Sequence, residues 1–523
     1  MLTVRRVGDL PEVGDLGPPI PNIANVPVDE ALYLPLFYQD EQGVVRPGAA
    51  AAIPTLQNGG ISTDAQTWTI HMRPHLVWSD GMPYDARDVD FTWRLWLNPD
   101  FGAFQTIGYD LIRAADVSAD NLTIVFHLKR PYVAFYQLWV DGFSAPLPAH
   151  HYGPMKPDAI VTSHPKVTSG PFMVEESVVG DHYTLVRNPR YYRASEGMPY
   201  LDKLVFRIID QGDILKDLQA GTIDSVRLMD FTKLPLYQRP PNYTLYKTPT
   251  SNSFEAMYFD FHNTVLAHLE VRQAMAMALD HQALINAVPG HLASPLCTDH
   301  NSAFHPGYEP GAPCPVFDPA AANKLLDDNG WVKGPDGIRA RGGERLEFEY
   351  STAVTFLLWR LDTEPIIQRN LQAIGIKLDI QNYATDVFWG QVVPGGKASP
   401  PSGAVAGRYD IAEGMDGGTV DPDDAVLLEC NLFTPRGANY GFYCDPALDA
   451  LLHQEQATVD PGARQQIFRQ IHRYLVTKFP FIVLYGMLTS LAMVRKGTHN
   501  YQQNPLTQNF YNSWEWWCDH GKC

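Results

Sequence analysis

The stretch WTIHMRPHLVWSDGMPYDARDVDFTW, Trp68 to Trp93, holds a strand, a turn and a helix in close succession. Trp68, Ile70 and Met72 alternate with polar residues, the period of two that marks a half-buried strand. Asp80-Gly81 makes a turn, because glycine accepts backbone angles closed to other residues. Asp85 is placed to cap a helix, and Asp88 sits in the first turn, where negative charge suits the dipole. Val89, Thr92, Trp93 and Trp96 then share one face, and Asn98-Pro99 ends the helix. Further along, LTIVFHLKR gives a second strand with Leu122, Ile124, Phe126 and Leu128 inward, after the turn SADN. Strands and helices mix in this way along the whole chain, so an α/β protein is predicted.

At 523 residues the chain exceeds one hydrophobic core, and two or more domains are expected. Hydrophobic residues at 45% and charged residues at 19% are a globular balance. A formal charge of -18 without a Lys/Arg run argues against nucleic acid as a partner. The longest apolar run, FPFIVLYGMLTSLAMV from Phe479 to Val494, is too short for a spanning helix and reads as buried strand. MLTVRRVGDL has no apolar segment of signal-peptide type. No repeat of fixed period is visible.

Two further helices follow the cap-and-proline pattern. FDPAAANKLLDDNGW has Asp318 as cap, Pro319 in the first turn and Gly330 at the stop. VDPGARQQIFRQIHRYLV repeats it with Asp460 and Pro461, and aligns Ile467, Phe468, Ile471 and Leu475. Six cysteines fall as near neighbours: Cys297 with Cys314, Cys430 with Cys444, Cys518 with Cys523. Local pairing is the expectation, buried free thiols the alternative, and pairing implies an extracytoplasmic protein whose signal was replaced by Met1. No zinc-type Cys or His spacing is present.

Taken in order, these segments resemble the family-5 extracellular solute-binding proteins of ABC transporters, which include dipeptide, oligopeptide and nickel receptors. The Trp68–Trp93 stretch is similar to the family's strand, W-S-D-G turn and capped helix. FYQDEQGVVRPGAAAAIPT matches its early hairpin, SGPFMVEESVVGDHYTLVRNPRYYR a later one, GTIDS a turn, and VRQAMAMALDHQALI a helix. The resemblance implies a two-lobed periplasmic-binding-protein-like fold of class II, cluster C, with an extra subdomain on the first lobe. Lobe I is expected at residues 1–30, 166–255 and 485–523, the extra subdomain at 31–165, and lobe II at 256–484. The crossings are placed near FEAMYFDF and FPFIVLY, with a solute enclosed between the lobes and delivered to a membrane permease. A monomer outside the cytoplasm, periplasmic or extracellular and open to a lipid anchor, is implied.

Peptide receptors of the family carry G-W-x-x-D-x-x-D-P, whose first acid takes the ligand ammonium. The aligned segment is GMDGGTVDP, Gly414 to Pro422, in the acidic, glycine-rich loop EGMDGGTVDPDD. Met415 replaces the tryptophan, Gly418 occupies the acid position, and Asp416 lies two residues out of step. Asp416 is the ligand-binding candidate, with an arginine or the Gly417 and Gly418 amides as its alternative partners. Asp421, Asp423 and Asp424 read as structural. In EYSTAVT, Tyr350, Ser351 and Thr352 offer hydroxyls where the family has Arg and Tyr. Arg436, Trp389, Asn439 and Tyr440 complete the candidates, for charge, stacking and hydrogen bonding; an exposed loop arginine and core aromatics are the plain alternatives.

A peptide or peptide-like solute is the leading ligand. An oligosaccharide or opine is the alternative, because hydroxyls and aromatic faces suit both. Nickel ranks lower: His300 with His305, and adjacent His150 and His151, are weak as ligand sets, and neither cofactor nor metal is expected. G-x-S-x-G, H-E-x-x-H and P-loop motifs are all absent, so a hydrolase is not expected. A chaperone or sensor on the same scaffold is a third reading.

Overall fold

The capped helix forms as its sequence dictates. In the computed structural model it runs Ala86–Trp96, with Asp85 accepting from the Arg87 amide and Asp88 reaching back to the Asp85 amide, a complete capping box. Gly81 takes φ +94°, the left-handed region that favours glycine. Asp88 is spent on structure: it accepts from Trp78 Nε1 at 3.1 Å and the Ala149 amide at 2.8 Å. Burial nevertheless pushes its carboxyl up to about 6. The structure describes all residues except 1, 8–25, 102, 104–105, 141–143, 161–164, 179–180, 210, 229, 249–252, 299–313, 356, 394–408, 418–419, 435, 489–490, 505–509 and 520–523.

The chain divides into two compact units. The first comprises Met1–Met229, Pro235–Pro249 and Ser490–Cys523. Its main sheet has seven strands in the order Tyr243–Lys247, Leu491–Arg495, Ser225–Leu228, Leu2–Val7, Lys203–Ile209, His182–Arg187, Phe172–Val178. Leu2–Val7 lies parallel to both neighbours, and the last three strands form an antiparallel meander. A three-stranded sheet, Thr67–His71, Thr123–Leu128 and Ile112–Val117, carries the capped helix. Trp68, Ile70, Met72, Ile124, Phe126 and Leu128 are all buried as the alternation requires. FYQDEQGVVRPG forms the antiparallel hairpin Phe37–Gln39 with Val45–Pro47.

The second unit comprises Asp230–Leu234 and Thr250–Thr489. Its sheet has six strands in the order Ala293–Ser294, Phe481–Met487, Ser253–Phe259, Ile411–Gly417, Glu347–Ala353, Lys377–Tyr383. The last two run parallel, joined by the helix Arg360–Ala373, because a parallel pair needs a crossover. Helices Pro319–Asp328 and Pro461–Lys478 begin at Asp318 and Asp460, which accept from Ala321 and Ala463 amides at 2.8 and 2.7 Å. Ile467, Phe468, Ile471 and Leu475 are buried.

Two segments differ from their reading. VRQAMAMALDHQALI is two helices, Leu269–Ala278 and His281–Ala287, because Leu279 turns extended and Asp280 caps the second through the Ala283 amide. FPFIVLYGMLTSLAMV is also two elements, Phe481–Met487 in the second unit and Leu491–Arg495 in the first. Apolarity marks burial and is silent on which sheet a strand joins.

Cys297–Cys314 and Cys430–Cys444 are disulfides with Cα separations of 5.5 and 4.6 Å. Cys518 is disulfide-bonded as well, and Cys523 lies outside the described residues. Among the described residues no helix is long and apolar enough to cross a membrane.

Replacing Asp85 by Ala removes the cap and the Arg87 ion pair of 2.7 Å. Thermal or urea denaturation should show a loss of about 1–2 kcal/mol; an unchanged midpoint would mean that the cap does not stabilise the helix.

Candidate functional site

EGMDG is a strand rather than the loop its glycines suggest. Ile411–Gly417 pairs antiparallel with Ser253–Phe259 and parallel with Glu347–Ala353, so ladder hydrogen bonds on both sides outweigh the low strand preference of glycine. Strand alternation then sorts its side chains. Glu413 and Met415 share one face with Glu255 and Met257, their partners in register. Ala412, Gly414 and Asp416 take the other face, with Tyr258, Ala256 and Phe254.

On that second face Asp416 is half-buried and its Oδ2 accepts from the Tyr258 hydroxyl at 2.5 Å. Among the described residues no other group bonds the carboxylate, so neither an arginine nor the Gly417 amide fills that role. Burial pushes the Asp416 carboxyl up to about 6, against the Tyr258 hydrogen bond, which lowers it. The Tyr258 ring meets Tyr440 edge-on at 5.3 Å, and Tyr440 meets Trp389 at 5.2 Å. Gly414 gives the rings room: a Cβ would sit 3.2 Å from Trp389 and 3.3 Å from Tyr258, so a side chain there would push one of them by a few tenths of an ångström. Three of the sequence candidates, Asp416, Trp389 and Tyr440, therefore converge around one strand end. Their fourth member, Tyr258, carried no sequence signal beyond an apolar strand.

The covalent frame explains where Tyr440 stands. Cys430–Cys444 closes its loop, Asn439 Nδ2 donates to the Tyr443 carbonyl at 2.8 Å, and Tyr409 donates to the Tyr440 carbonyl at 2.5 Å. A loop of this length closed by a disulfide gains about 3 kcal/mol through the unfolded state. Gly441 lets the loop lie on the strand, since a Cβ would meet the Phe259 carbonyl at 2.6 Å. Asn439 is thus a buried brace, while Arg436 is exposed on the same loop.

The opposite face holds a polar network that sequence reading missed. Arg360 donates to Glu255 at 2.9 Å, to Thr352 Oγ1 at 2.9 Å and to the Ala353 carbonyl at 2.9 Å. Tyr350 donates to Glu413 Oε2 at 2.8 Å. Arg360, Glu255, Glu413, Tyr350 and Thr352 have no exposure at all. The hydroxyls of Tyr350 and Thr352 are therefore committed to this interior network, and Ser351 is equally buried on the Ala412 side of the sheet. One guanidinium pairs with Glu255 and acts on the second fully buried glutamate, Glu413, through its charge alone, with Glu364 nearby. Burial pushes Glu255 up to about 8, Arg360 pulling it down and Glu413 adding to the rise; Glu413 is raised as well. The bonds span up to 105 positions, so no local pattern announces them.

The remaining acids of the stretch are structural. Arg464 bonds Asp421 at 2.5 Å and Glu455 at 2.8 Å, and Gln456 bonds Asp423 at 2.9 Å. Met415 is half-buried, Gly417 is exposed, and Gly418 lies outside the described residues. His300 and His305 also lie outside them. His150 bonds Asp80 at 2.8 Å while His151 packs on Tyr152. Among the described residues no group of three or more His, Cys, Asp or Glu could hold a metal.

Known proteins of similar sequence and fold place the chain. The family profile for bacterial extracellular solute-binding proteins, family 5 Middle, matches residues 45–432, most of the chain. The protein belongs to that family, a class of two-lobed receptors. The oligopeptide-binding protein AppA of Bacillus subtilis strain 168 is 25% identical across 98% of this chain and 91% of its own. The structure of AppA from Bacillus subtilis in complex with a nonapeptide superposes with a TM-score of 0.80 at 21% identity, covering 99% of this chain and 98% of that one. AgaA from A. tumefacien R10, in complex with agropinic acid, gives 0.80 at 21%, covering 99% of both chains. NikZ from Campylobacter jejuni, in complex with Ni(L-His), gives 0.79 at 20%, again over 99% of both. These likenesses establish the two-lobed fold, mixed in helix and strand.

The buried acids set a pH dependence. A glutamate whose folded value is raised takes up protons on folding, so its contribution is fully present below the usual carboxylate range. It is lost as pH rises through about 8. Thermal melts should therefore fall from pH 7 to pH 9, and Glu413→Gln should flatten that fall, leaving Glu255 alone with Arg360. Parallel curves for the two proteins would contradict the coupling of the two glutamates.

Proposed function

We propose that the protein is an extracytoplasmic receptor of an ABC importer that captures a peptide or peptide-like solute and hands it to a membrane permease. The family and its peptide-binding relatives support the class. The observation that carries the ligand contact is the Asp416 carboxylate, half-buried, ringed by Tyr258, Trp389 and Tyr440, with Oδ1 taking no hydrogen bond among the described residues. A carboxylate in such a setting gains most from a ligand ammonium, whose charge offsets the desolvation that burial imposes. The rings supply apolar and stacking surface for the ligand atoms next to that ammonium.

Gly417 at the strand end, Gly418, which lies outside the described residues, and Arg436 on the Tyr440 loop are the further contacts in this reading, whereas Met415 turns to the opposite face with Glu255. Tyr350, Ser351, Thr352 and Asn439 serve as its supporting frame. The receptor binds and releases without catalysis, as a monomer outside the cytoplasm, periplasmic or extracellular. An oligosaccharide- or opine-type solute is the second reading, favoured by the same aromatic wall and by the shared fold with AgaA.

Native mass spectrometry of the purified protein, followed by denaturing release, identifies the class directly. A peptide or amine-bearing solute at one copy per chain is expected, and a released sugar or metal would displace the peptide reading. Asp416→Ala, titrated with the released molecule, should lose more than about 1.5 kcal/mol, the scale of a charge-assisted hydrogen bond. Unchanged affinity would remove Asp416 from the site.

A further inference from the structure

Tyr258 stands out because its position is over-determined for a residue that only packs. It is 3% exposed, in the strand Ser253–Phe259, whose neighbour carries Asp416. Its ring is wedged between Tyr440 at 5.3 Å and Phe481 at 5.4 Å, so the phenol has little freedom to swing. The hydroxyl points at Asp416 Oδ2 and donates at 2.5 Å, the range of O–H bonds to charged oxygen. Gly414, beside Asp416 on the same face, leaves the space through which the Tyr258 ring passes. Oδ2 is thus occupied by the protein, and Oδ1 takes no bond among the described residues.

We propose that Tyr258 is the specificity-determining positioning residue of this site: it holds the Asp416 carboxylate ionised and aimed, so that Oδ1 selects a protonated primary amine over a neutral hydroxyl or acylated nitrogen. The inference rests on the receptor reading and goes beyond it by naming what makes Asp416 selective. Without the phenol, a carboxyl in this aromatic surround retains its proton to higher pH. A protonated carboxyl offers a neutral ligand as good a partner as a cation. The groups facing Asp416 are Tyr258 and Tyr440 on its own side, and Glu255 through the sheet, which the Asp416 charge helps to raise. Tyr258 is the one of these that stabilises the anion.

Two measurements on the intact protein test this. The first needs no ligand: carboxyl labelling with a water-soluble carbodiimide, read by peptide mass spectrometry, follows the Asp416 titration from about pH 4.5 to about pH 8. Tyr258→Phe should move the Asp416 midpoint upward by about one pH unit, the equivalent of one charge-assisted hydrogen bond. Tyr440→Phe, which removes a phenol not bonded to Asp416, should leave it in place. The second uses trialanine and N-acetyl-trialanine as probes at neutral pH. The wild-type protein should prefer the free amine about tenfold, and Tyr258→Phe should shrink that preference severalfold while retaining the acetylated probe's affinity. An unchanged Asp416 midpoint, or an unchanged preference, overturns the proposal. A shifted midpoint with neither probe bound by either protein supports the hold of Tyr258 on Asp416 and counts against the peptide reading instead.

Discussion

The strand Ile411–Gly417 cannot slip by one residue without exchanging its two faces. Glu413 belongs to the interior and Asp416 to the aromatic side, three positions apart and therefore on opposite faces. The ladder to Ser253–Phe259 on one flank and Glu347–Ala353 on the other fixes that assignment. Everything distinctive about the second unit depends on it. The buried guanidinium of Arg360 finds Glu255 and Thr352 on the interior face, and Tyr350 caps Glu413. The other face carries Asp416 beside the rings of Tyr258, Trp389 and Tyr440.

A fully buried ion pair is costly to assemble and more costly to break, since removing one partner strands a charge. Arg360 answers this with bonds to a carboxylate, a hydroxyl and a carbonyl at once. The second glutamate bonds Tyr350 and feels Arg360 only through its charge, and burial raises it, which is why pH enters the stability of the unit. Asp416 is the milder case. Half-buried and singly bonded, it can exchange a proton for a ligand's positive charge near neutral pH. The family register sets this acid two places out of step with the peptide receptors. The structure gives the displaced position its own setting, with Tyr258 beneath it and Trp389 and Tyr440 beside it.

How much the sequence revealed depended on distance along the chain. The caps at Asp85, Asp318 and Asp460 are legible because cap and first turn, with a proline at the latter two, lie within four residues, and each forms in the structure. Two cysteine pairs are legible for the same reason. The family order points to the fold, which no single period could. Asp416, Trp389 and Tyr440 are visible as separate candidates, but their convergence is hidden. Tyr258 lies 158 positions from Asp416, and Arg360 lies 105 from Glu255. Tyr350 and Thr352 read as ligand hydroxyls because a strand end shows its chemistry and conceals its face. Only the register, with Thr352 opposite Glu413, turns them inward. EGMDG misleads in the opposite sense, since glycines that signal a loop locally serve here to admit two rings.

If the Asp416 face of the second unit receives the charged end of the solute, a crystal structure of the protein carrying its co-purified ligand will show it. A ligand nitrogen is then expected within hydrogen-bonding distance, about 3 Å, of Asp416 Oδ1. Tyr258 should remain bonded to Oδ2, with a ring of Trp389 or Tyr440 against the ligand. A bound ligand with no atom near Asp416, its carboxylate facing only water and Tyr258, would contradict that assignment.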